Sequence, residues 1–206
     1  MTTTSTFGDQ AYDHILGQLF RRELQPGDLV DRKQIAEELA ISLIPVSDAV
    51  QRLTYEGLLT TRRRQGTFVS SPSIEDVRGQ LLLREALECQ SARLYCGEKI
   101  SSARRQIRPL AQAVDKTAAA GEPFYLEEFE FHQALVGLTE CAALIQCFQR
   151  VVHLSLFHEV AVISPMRPVA FESHVEVLDD LCKASVEQAE ARIRKNIRAG
   201  KDGLFE

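Results

Sequence analysis

Residues 31–70 place the strongest constraint on the fold, because two short amphipathic helical patterns lie directly before a pattern of two short strands. Asp31 is a candidate N-cap for the first helix and Ser42 for the second, and Gly57 ends the second helix. The apolar residues of each segment recur at the spacing of one helix face. They are Ile35, Ala36 and Leu39 in the first helix and Val46, Ala49, Val50 and Leu53 in the second.

The strand pattern, LLTTRRRQGTFVS, alternates on both sides of a basic turn. Its arginines, Arg62, Arg63 and Arg64, supply guanidinium groups, and Gly66 lets the backbone come close to a phosphate. An earlier amphipathic segment, residues 10–23, adds a third helix. Three helices and a two-stranded wing predict a winged helix-turn-helix, and therefore DNA binding.

Net charge does not by itself favour a nucleic-acid partner, since the chain carries −5 and residues 1–72 carry −1. Contact with phosphates depends on the local surface, however, and Lys33, Arg52 and the three turn arginines are expected to share one. No apolar run approaches the length of a membrane span, and the start MTTTSTFGDQ lacks the features of a signal peptide. We therefore expect a cytoplasmic protein with no membrane partner.

A composition change at residues 70–73 predicts two domains, a winged domain over 1–72 and an all-helical domain over 73–206. Ser73 and Asp76 have the spacing of a capping box at the start of the second domain. Pro109 is expected to kink one of its helices. About six helices are predicted there, at 73–96, 102–119, 123–137, 141–163, 168–184 and 186–199. The predicted fold class is therefore mostly α.

The N-terminal segment resembles the GntR family of bacterial transcription regulators through LQPGDLV, IAEELAISLIPVSDAVQRLTYEGLL and RRRQGTFV. The remainder resembles the FCD effector domain of the FadR-like branch through LLLREALECQSARL, LEEFEFHQAL and His174, which lies twenty-two residues before Asn196. The resemblance implies a ligand-responsive regulator, predicted to be a repressor, that binds a palindromic DNA operator as a homodimer. It also implies a small organic acid or a metal-bound metabolite as effector, and no enzymatic activity.

The predicted recognition helix departs from the family pattern S-R-x-P-V-R-E-A-L, because Leu43 and Ser47 stand where the family has arginines. A bidentate arginine contact to guanine provides roughly 1 to 3 kcal/mol of discrimination, so we do not expect the usual operator. Leu43 and Ile44 can contact thymine methyl groups, which favours an A/T-rich site. The predicted DNA-contacting set is Lys33, Ser42, Leu43, Ile44, Ser47, Gln51, Arg52, Arg62, Arg63, Arg64, Gln65, Gly66 and Thr67.

Glu128 and His132 form the second candidate site, because their i and i+4 spacing places both side chains on one helix face. The resemblance adds His174 and Asn196, which align with ligands of metal-binding family members whose set is Asp, His, His and His. In one hypothesis, Glu128, His132 and His174 bind one zinc, nickel or manganese ion per subunit, with Asn196, water or an effector carboxylate completing the shell. In the other, no metal is present, and the same side chains together with Arg84 bind an organic carboxylate directly.

Two further functions are compatible with these residues. The lost arginines allow a degenerate winged-helix protein that dimerises but binds DNA weakly. A buried metal with an open position can activate water, which allows a hydrolase-like helical enzyme. The sequence contains no nucleophile elbow, phosphate loop or HExxH motif that would support the enzyme.

Overall fold

The computed structural model describes residues 6–163 and 172–204. The chain divides into two compact units, Met1–Pro72 and Ser73–Glu206. Within the described residues there are nine α-helices and one two-stranded sheet. The predicted fold class, a winged helix-turn-helix followed by a helical bundle, is confirmed.

The N-terminal unit contains three helices, α1 (Phe7–Phe20), α2 (Arg32–Glu38) and α3 (Leu43–Tyr55). The sequence places α1 at 10–23, three residues too late at both ends. The difference has a local cause, because Thr6 and Asp9 form a capping box that starts the helix earlier. Helix α1 packs against α3, so the apolar faces of both helices form the core of this unit.

The start of α2 is capped as expected, since the Asp31 side chain accepts from the N–H groups of Lys33 at 2.8 Å and Gln34 at 3.2 Å. Ser42 stands at the N-cap position of α3 with extended backbone, but its side chain makes no capping hydrogen bond. Gly57 follows α3 with φ of 87°, the left-handed conformation that ends a helix.

The wing consists of β1 (Leu59–Arg62) and β2 (Gly66–Val69), which pair antiparallel. A bridge between Leu29 and Phe68 joins the segment before α2 to β2. Because β2 is hydrogen-bonded on both sides, the wing is anchored to the helical part of the unit.

Six helices form the C-terminal unit within the described residues. They are α4 (Ile74–Tyr95), α5 (Glu98–Ala119), α6 (Tyr125–Gly137), α7 (Ala142–His158), α8 (His174–Leu181) and α9 (Val186–Arg198). A π-helical turn, Glu159–Ile163, continues α7, and a 3-10 turn, Asp202–Leu204, follows α9.

The predicted helix positions differ most from these bounds in three places. Helix α5 begins four residues before the predicted 102, and it continues past Pro109. The segment 141–163 changes from α- to π-helix at Glu159. The predicted helix 168–184 lies partly outside the described residues, and its described part begins at His174.

Helix α4 is central to the C-terminal unit, because it packs against both α7 and α9. Its buried face begins with Val77 and Leu81 and ends with Tyr95. Between them lie Arg84 and Glu88, which are 0% and 2% exposed. Charged residues at core positions require partners inside the protein. The partners of these two residues include side chains of the candidate site.

Candidate functional site

The candidate DNA surface includes the exposed face of α3. Ser42, Leu43, Ile44 and Gln51 are exposed, Ile44 at 72%, and Ser47 is half-buried. Asp48 is also exposed on this helix. The surface of α3 that precedes Arg52 therefore carries only apolar and uncharged polar side chains, apart from the carboxylate of Asp48.

Arg52 lies against α1, although half of its side chain is exposed. Its Nη1 donates to Oδ1 of Asp9 at 2.9 Å, and its guanidinium carbon lies 4.3 Å from the centre of the Tyr12 ring. Tyr12 in turn donates its hydroxyl to Glu56 at 2.6 Å. These contacts hold the guanidinium at one position on the surface of the unit.

The wing turn exposes Arg63, Arg64 and Gln65, and Lys33 is exposed on α2. Arg62 is exposed as well, with its guanidinium 4.7 Å from the centre of the Phe68 ring. The tip of the wing therefore combines three cationic side chains in one short segment.

Gly66 ends this turn with φ of 123°, a conformation that residues with a Cβ rarely adopt. A Cβ built on it would lie 2.7 Å from Cδ1 of Leu29. Thr67, by contrast, is 3% exposed, and its hydroxyl accepts from Nη2 of Arg32 at 2.9 Å. The sequence analysis did not identify Arg32 as a partner of the wing. Its position next to the Asp31 cap was the one sequence feature that could have indicated this contact.

The second site is formed by Glu128 and His132 on α6 and His174 at the start of α8. One ligand atom from each of the three side chains lies within 4.8 Å of the other two, and all three residues are buried. Oε1 of Glu128 is 3.9 Å from Nε2 of His132. The imidazole rings of His132 and His174 stand nearly perpendicular, with centres 5.9 Å apart.

Arg84 joins this group to two glutamates that sequence reasoning did not identify. Its Nε donates to Glu88 at 2.6 Å, its Nη2 to Glu128 at 3.0 Å and its Nη1 to Glu159 at 3.3 Å. Glu88 was detectable in principle, since Arg84 and Glu88 have the i, i+4 spacing of a helical ion pair on an otherwise apolar face. Glu159 gave no such signal.

Lys201 adds a second buried cation from the segment after α9. Its Nζ lies 2.8 Å from Oε2 of Glu159 and donates to the carbonyl of Ile197 at 2.8 Å. With neutral imidazoles, the three carboxylates of this centre exceed the two cations by one negative charge. A cation bound beside Glu128 would offset that charge in a region of low dielectric.

The pKa values of the centre follow from its charges. Burial alone would raise the pKa of Glu128, but Arg84 and Lys201 lower it to about 2. Burial likewise opposes ionisation of Glu88, yet its contacts with His132 and Arg84 lower its pKa. Burial lowers the pKa of His174 to about 4, so at neutral pH its imidazole is uncharged. Anionic carboxylate and neutral imidazole are the forms that bind metals.

Asp115 on α5 holds His174 in place. Its carboxylate accepts from the Ser173 hydroxyl and the His174 N–H, both at 2.7 Å, and from the Val175 N–H at 3.4 Å. These bonds occupy the start of α8, where backbone N–H groups otherwise lack partners. Asn196, the fourth residue of the predicted site, is 8% exposed on α9.

The donor set fits a divalent transition metal. Two imidazoles and one carboxylate are common zinc ligands, and nickel and manganese accept the same atoms. Nε2 of His132 is buried and has no hydrogen-bond partner among the described residues. A buried ring nitrogen without a partner costs free energy unless a ligand occupies it.

Comparisons with known proteins cover almost the whole chain. The model for bacterial regulatory proteins of the gntR family matches residues 7–69, and the FCD domain model matches residues 81–199. The Nta operon transcriptional regulator of Aminobacter aminovorans is 26% identical over 184 residues, covering 88% of this chain and 87% of that protein. The probable D-xylose utilization operon transcriptional repressor of Paenarthrobacter nicotinovorans is 27% identical over 201 residues, covering 96% and 88%.

Among solved structures, E. coli McbR/YncC has the same fold, with a TM-score of 0.74 at 16% identity over 98% of both chains. None of the described helices combines the length and the apolar character that a membrane crossing requires.

Proposed function

The chain belongs to the gntR family of bacterial regulatory proteins and carries an FCD domain, and from this premise we propose a ligand-responsive repressor that binds a palindromic operator as a homodimer. It is a DNA-binding transcription regulator. The hypothesis of a hydrolase-like enzyme is wrong, because the family and the named relatives are regulators. The degenerate domain that binds DNA only weakly remains the competing hypothesis.

The observation that carries the DNA-binding proposal is the exposed basic tip of the wing. Arg62, Arg63 and Arg64 offer phosphate contacts that do not depend on sequence. The exposed Leu43 and Ile44 of α3 then contribute apolar contacts to thymine methyl groups in the major groove. Affinity would therefore come mainly from the wing, and preference for A/T-rich sequence from α3.

In the helical unit, Glu128, His132 and His174 would hold one zinc, nickel or manganese ion, with Asn196, water or an effector carboxylate completing the shell. Nε2 of His132, which has no hydrogen-bond partner in the described part of the chain, supports this assignment. When bound, the ion supplies a Lewis-acid position for a carboxylate oxygen of the effector. In the metal-free alternative, the imidazoles would donate directly to that carboxylate.

Arg84 has a different role in these two hypotheses. Its three donor nitrogens face Glu88, Glu128 and Glu159. An organic carboxylate bound by Arg84 would have to displace one of these partners. The contacts therefore favour an effector that reaches the metal position over one clamped by Arg84.

Regulation then follows as a population shift. An effector changes operator affinity only by as much as its own affinity differs between two arrangements of the dimer. Residues of four elements, α4, α6, α8 and the π-helical turn, meet at the centre, so a ligand there can favour one packing of the bundle.

Selection of bound sites from random DNA at moderate salt tests the proposal. We expect an A/T-rich palindrome with half-sites about one helical turn apart. Failure to enrich any sequence would favour the degenerate domain. Elemental analysis after zinc or nickel loading tests the metal separately, and a panel of small carboxylic acids added to the DNA complex tests the effector class. An inert panel would remove the sensor role.

A further inference from the structure

Glu88 contacts a histidine ring of the buried centre at hydrogen-bonding distance, which no other carboxylate does among the described residues. Its Oε2 accepts from Nδ1 of His132, and both side chains are almost fully buried. Glu88 lies on α4 and His132 on α6, so the contact spans two helices. Neither the family comparison nor the sequence pattern assigns a role to Glu88.

Arg84 holds the glutamate in this position. It donates to Oε1 of Glu88 at 2.6 Å, which leaves Oε2 for the imidazole. An ionised carboxylate only accepts hydrogen bonds, so the proton of a neutral His132 ring must lie on Nδ1. Nε2 then carries the lone pair.

That lone pair points into the candidate metal position. Nε2 of His132 has no hydrogen-bond partner among the described residues, and Oε1 of Glu128 lies 3.9 Å away. If the proton were on Nε2, that nitrogen would have no free lone pair and could not bind a cation. The orientation of this ring and the position of its proton therefore decide whether the site accepts a metal.

We propose that Glu88 is the positioning residue of the centre, and that it holds the His132 ring so that Nε2 faces Glu128 and His174 as a ligand. This inference rests on the proposed metal-binding function. Carboxylates that accept from the distal nitrogen of a ligating histidine typically change metal affinity by about 10- to 100-fold.

The first test compares two matched variants, Glu88→Gln and Glu85→Gln. Both remove one carboxylate from α4, but Glu85 contacts Arg194 and Arg198 instead of a histidine. Zinc and nickel affinities are measured by competition with a chromophoric chelator, and circular dichroism checks helicity. We expect about 10- to 100-fold weaker binding for Glu88→Gln and unchanged binding for Glu85→Gln. Equal affinity of wild type and Glu88→Gln would overturn the inference.

The second test gives a decisive result on the wild-type protein alone. Nitrogen-15 NMR of the metal-free protein at mildly alkaline pH reports which ring nitrogen of His132 carries the proton. We expect the proton on Nδ1 in the wild type and a mixture of tautomers in Glu88→Gln, because an amide can either donate or accept. A wild-type ring with its proton on Nε2 would overturn the inference even if the variant does not fold.

The two tests also separate this inference from the proposed function. A wild type that binds neither metal, with the proton of His132 on Nδ1, would reject the metal and retain Glu88 as the residue that fixes the His132 tautomer, so that Nε2 could only accept a hydrogen bond from an organic ligand. If the wild type and Glu88→Gln bind metal equally tightly, the positioning role of Glu88 is rejected and the proposed metal site is retained.

Discussion

Arginine is used in opposite ways by the two units. In the N-terminal unit, Arg63 and Arg64 are exposed at the wing tip, and no ion pair forms with either of them within residues 6–163 and 172–204. In the C-terminal unit, Arg84 is fully buried and contacts three carboxylates of its own chain. The exposed wing arginines are available to an external anion, whereas the buried Arg84 organises an internal site.

The energetic consequences differ accordingly. An exposed charge retains its hydration, so its removal affects binding more than folding. A buried charge has lost its hydration, and its partners depend on it. The predictions below test this difference, beginning with the largest effect.

Arg84→Met would leave Glu88, Glu128 and Glu159 buried with one cation fewer among them. Removing one partner of a buried ion pair costs about 3 to 5 kcal/mol, so we expect a large loss of unfolding free energy in urea denaturation. Arg104→Met is the matched control, because Arg104 pairs with Asp179 at the surface with 47% of its side chain exposed. Equal losses in the two variants would contradict the contrast between buried and exposed arginine.

Gly66→Ala tests whether the conformation of the wing turn is required. A residue with a Cβ is strained at φ of 123°, and the Leu29 methyl group would also have to move away. We expect a cost of about 2 to 3 kcal/mol, measured by thermal denaturation of the N-terminal transition, together with weaker DNA binding. Gly8→Ala, whose Cβ would meet Thr6 alone among the described residues, at 3.6 Å, is expected to stabilise the unit by about 0.4 to 1 kcal/mol, because alanine restricts the unfolded chain.

His153 predicts a pH dependence of the C-terminal unit. Burial lowers its pKa from 6.5 to about 4, so between these values the unfolded chain binds more protons than the folded one. The free energy of unfolding therefore decreases as the pH falls below 6.5. It goes on decreasing until the pH reaches the folded pKa of about 4. From about pH 7 to about pH 5 this amounts to roughly 2 kcal/mol.

Unfolding free energy measured across this range checks the prediction, with His153→Phe as the comparison. The phenylalanine variant cannot be protonated, and it keeps an aromatic ring beside Phe129, whose ring centre lies 4.3 Å from that of His153. Its stability should fall less on acidification than that of the wild type. Identical curves would show that His153 does not titrate as its burial implies.

Arg63→Ala should have the smallest effect on folding and a uniform effect on DNA binding. Losing one phosphate contact reduces the slope of log affinity against log salt by about 1 and weakens all sequences alike. Gln51→Ala, on the exposed face of α3, should instead change preference at one base position. Fluorescence anisotropy over a salt series distinguishes them. Unchanged binding in both variants would contradict the proposed DNA surface.

Sequence analysis predicted more of the N-terminal unit than of the ligand centre. The Asp31 cap, Gly57 and the basic turn are signals that involve neighbours within a few residues, and all three have the expected conformations. The position of α1 was wrong by three residues, since its cap, Thr6, lies in a run of similar polar residues. The buried hydroxyl of Thr67 depends on Arg32, thirty-five residues away, and was not predictable.

In the C-terminal unit, helical spacing suffices to bring Glu128 and His132 together, and the family resemblance added His174 and Asn196. The structure brings Glu128, His132 and His174 close together, and their binding of a ligand stays a prediction. Glu88 was detectable only as a charge on an apolar face. Glu159 and Lys201 were missed, because the contacts that bury them come from segments more than forty residues apart in sequence.

The sequence by itself determined the secondary structure elements and the organisation into a unit with a basic wing and a helical bundle. It also determined which candidate ligands share one face of α6. These properties depend on caps, periodicity and turn residues, whose interactions are local. Only the tertiary structure decided which charges share the buried centre and which nitrogen of His132 faces it. Those outcomes depend on how α4, α6 and the π-helical turn pack, because buried charges in a low-dielectric interior need partners, and the partners of Glu128 and Glu159 come from other elements.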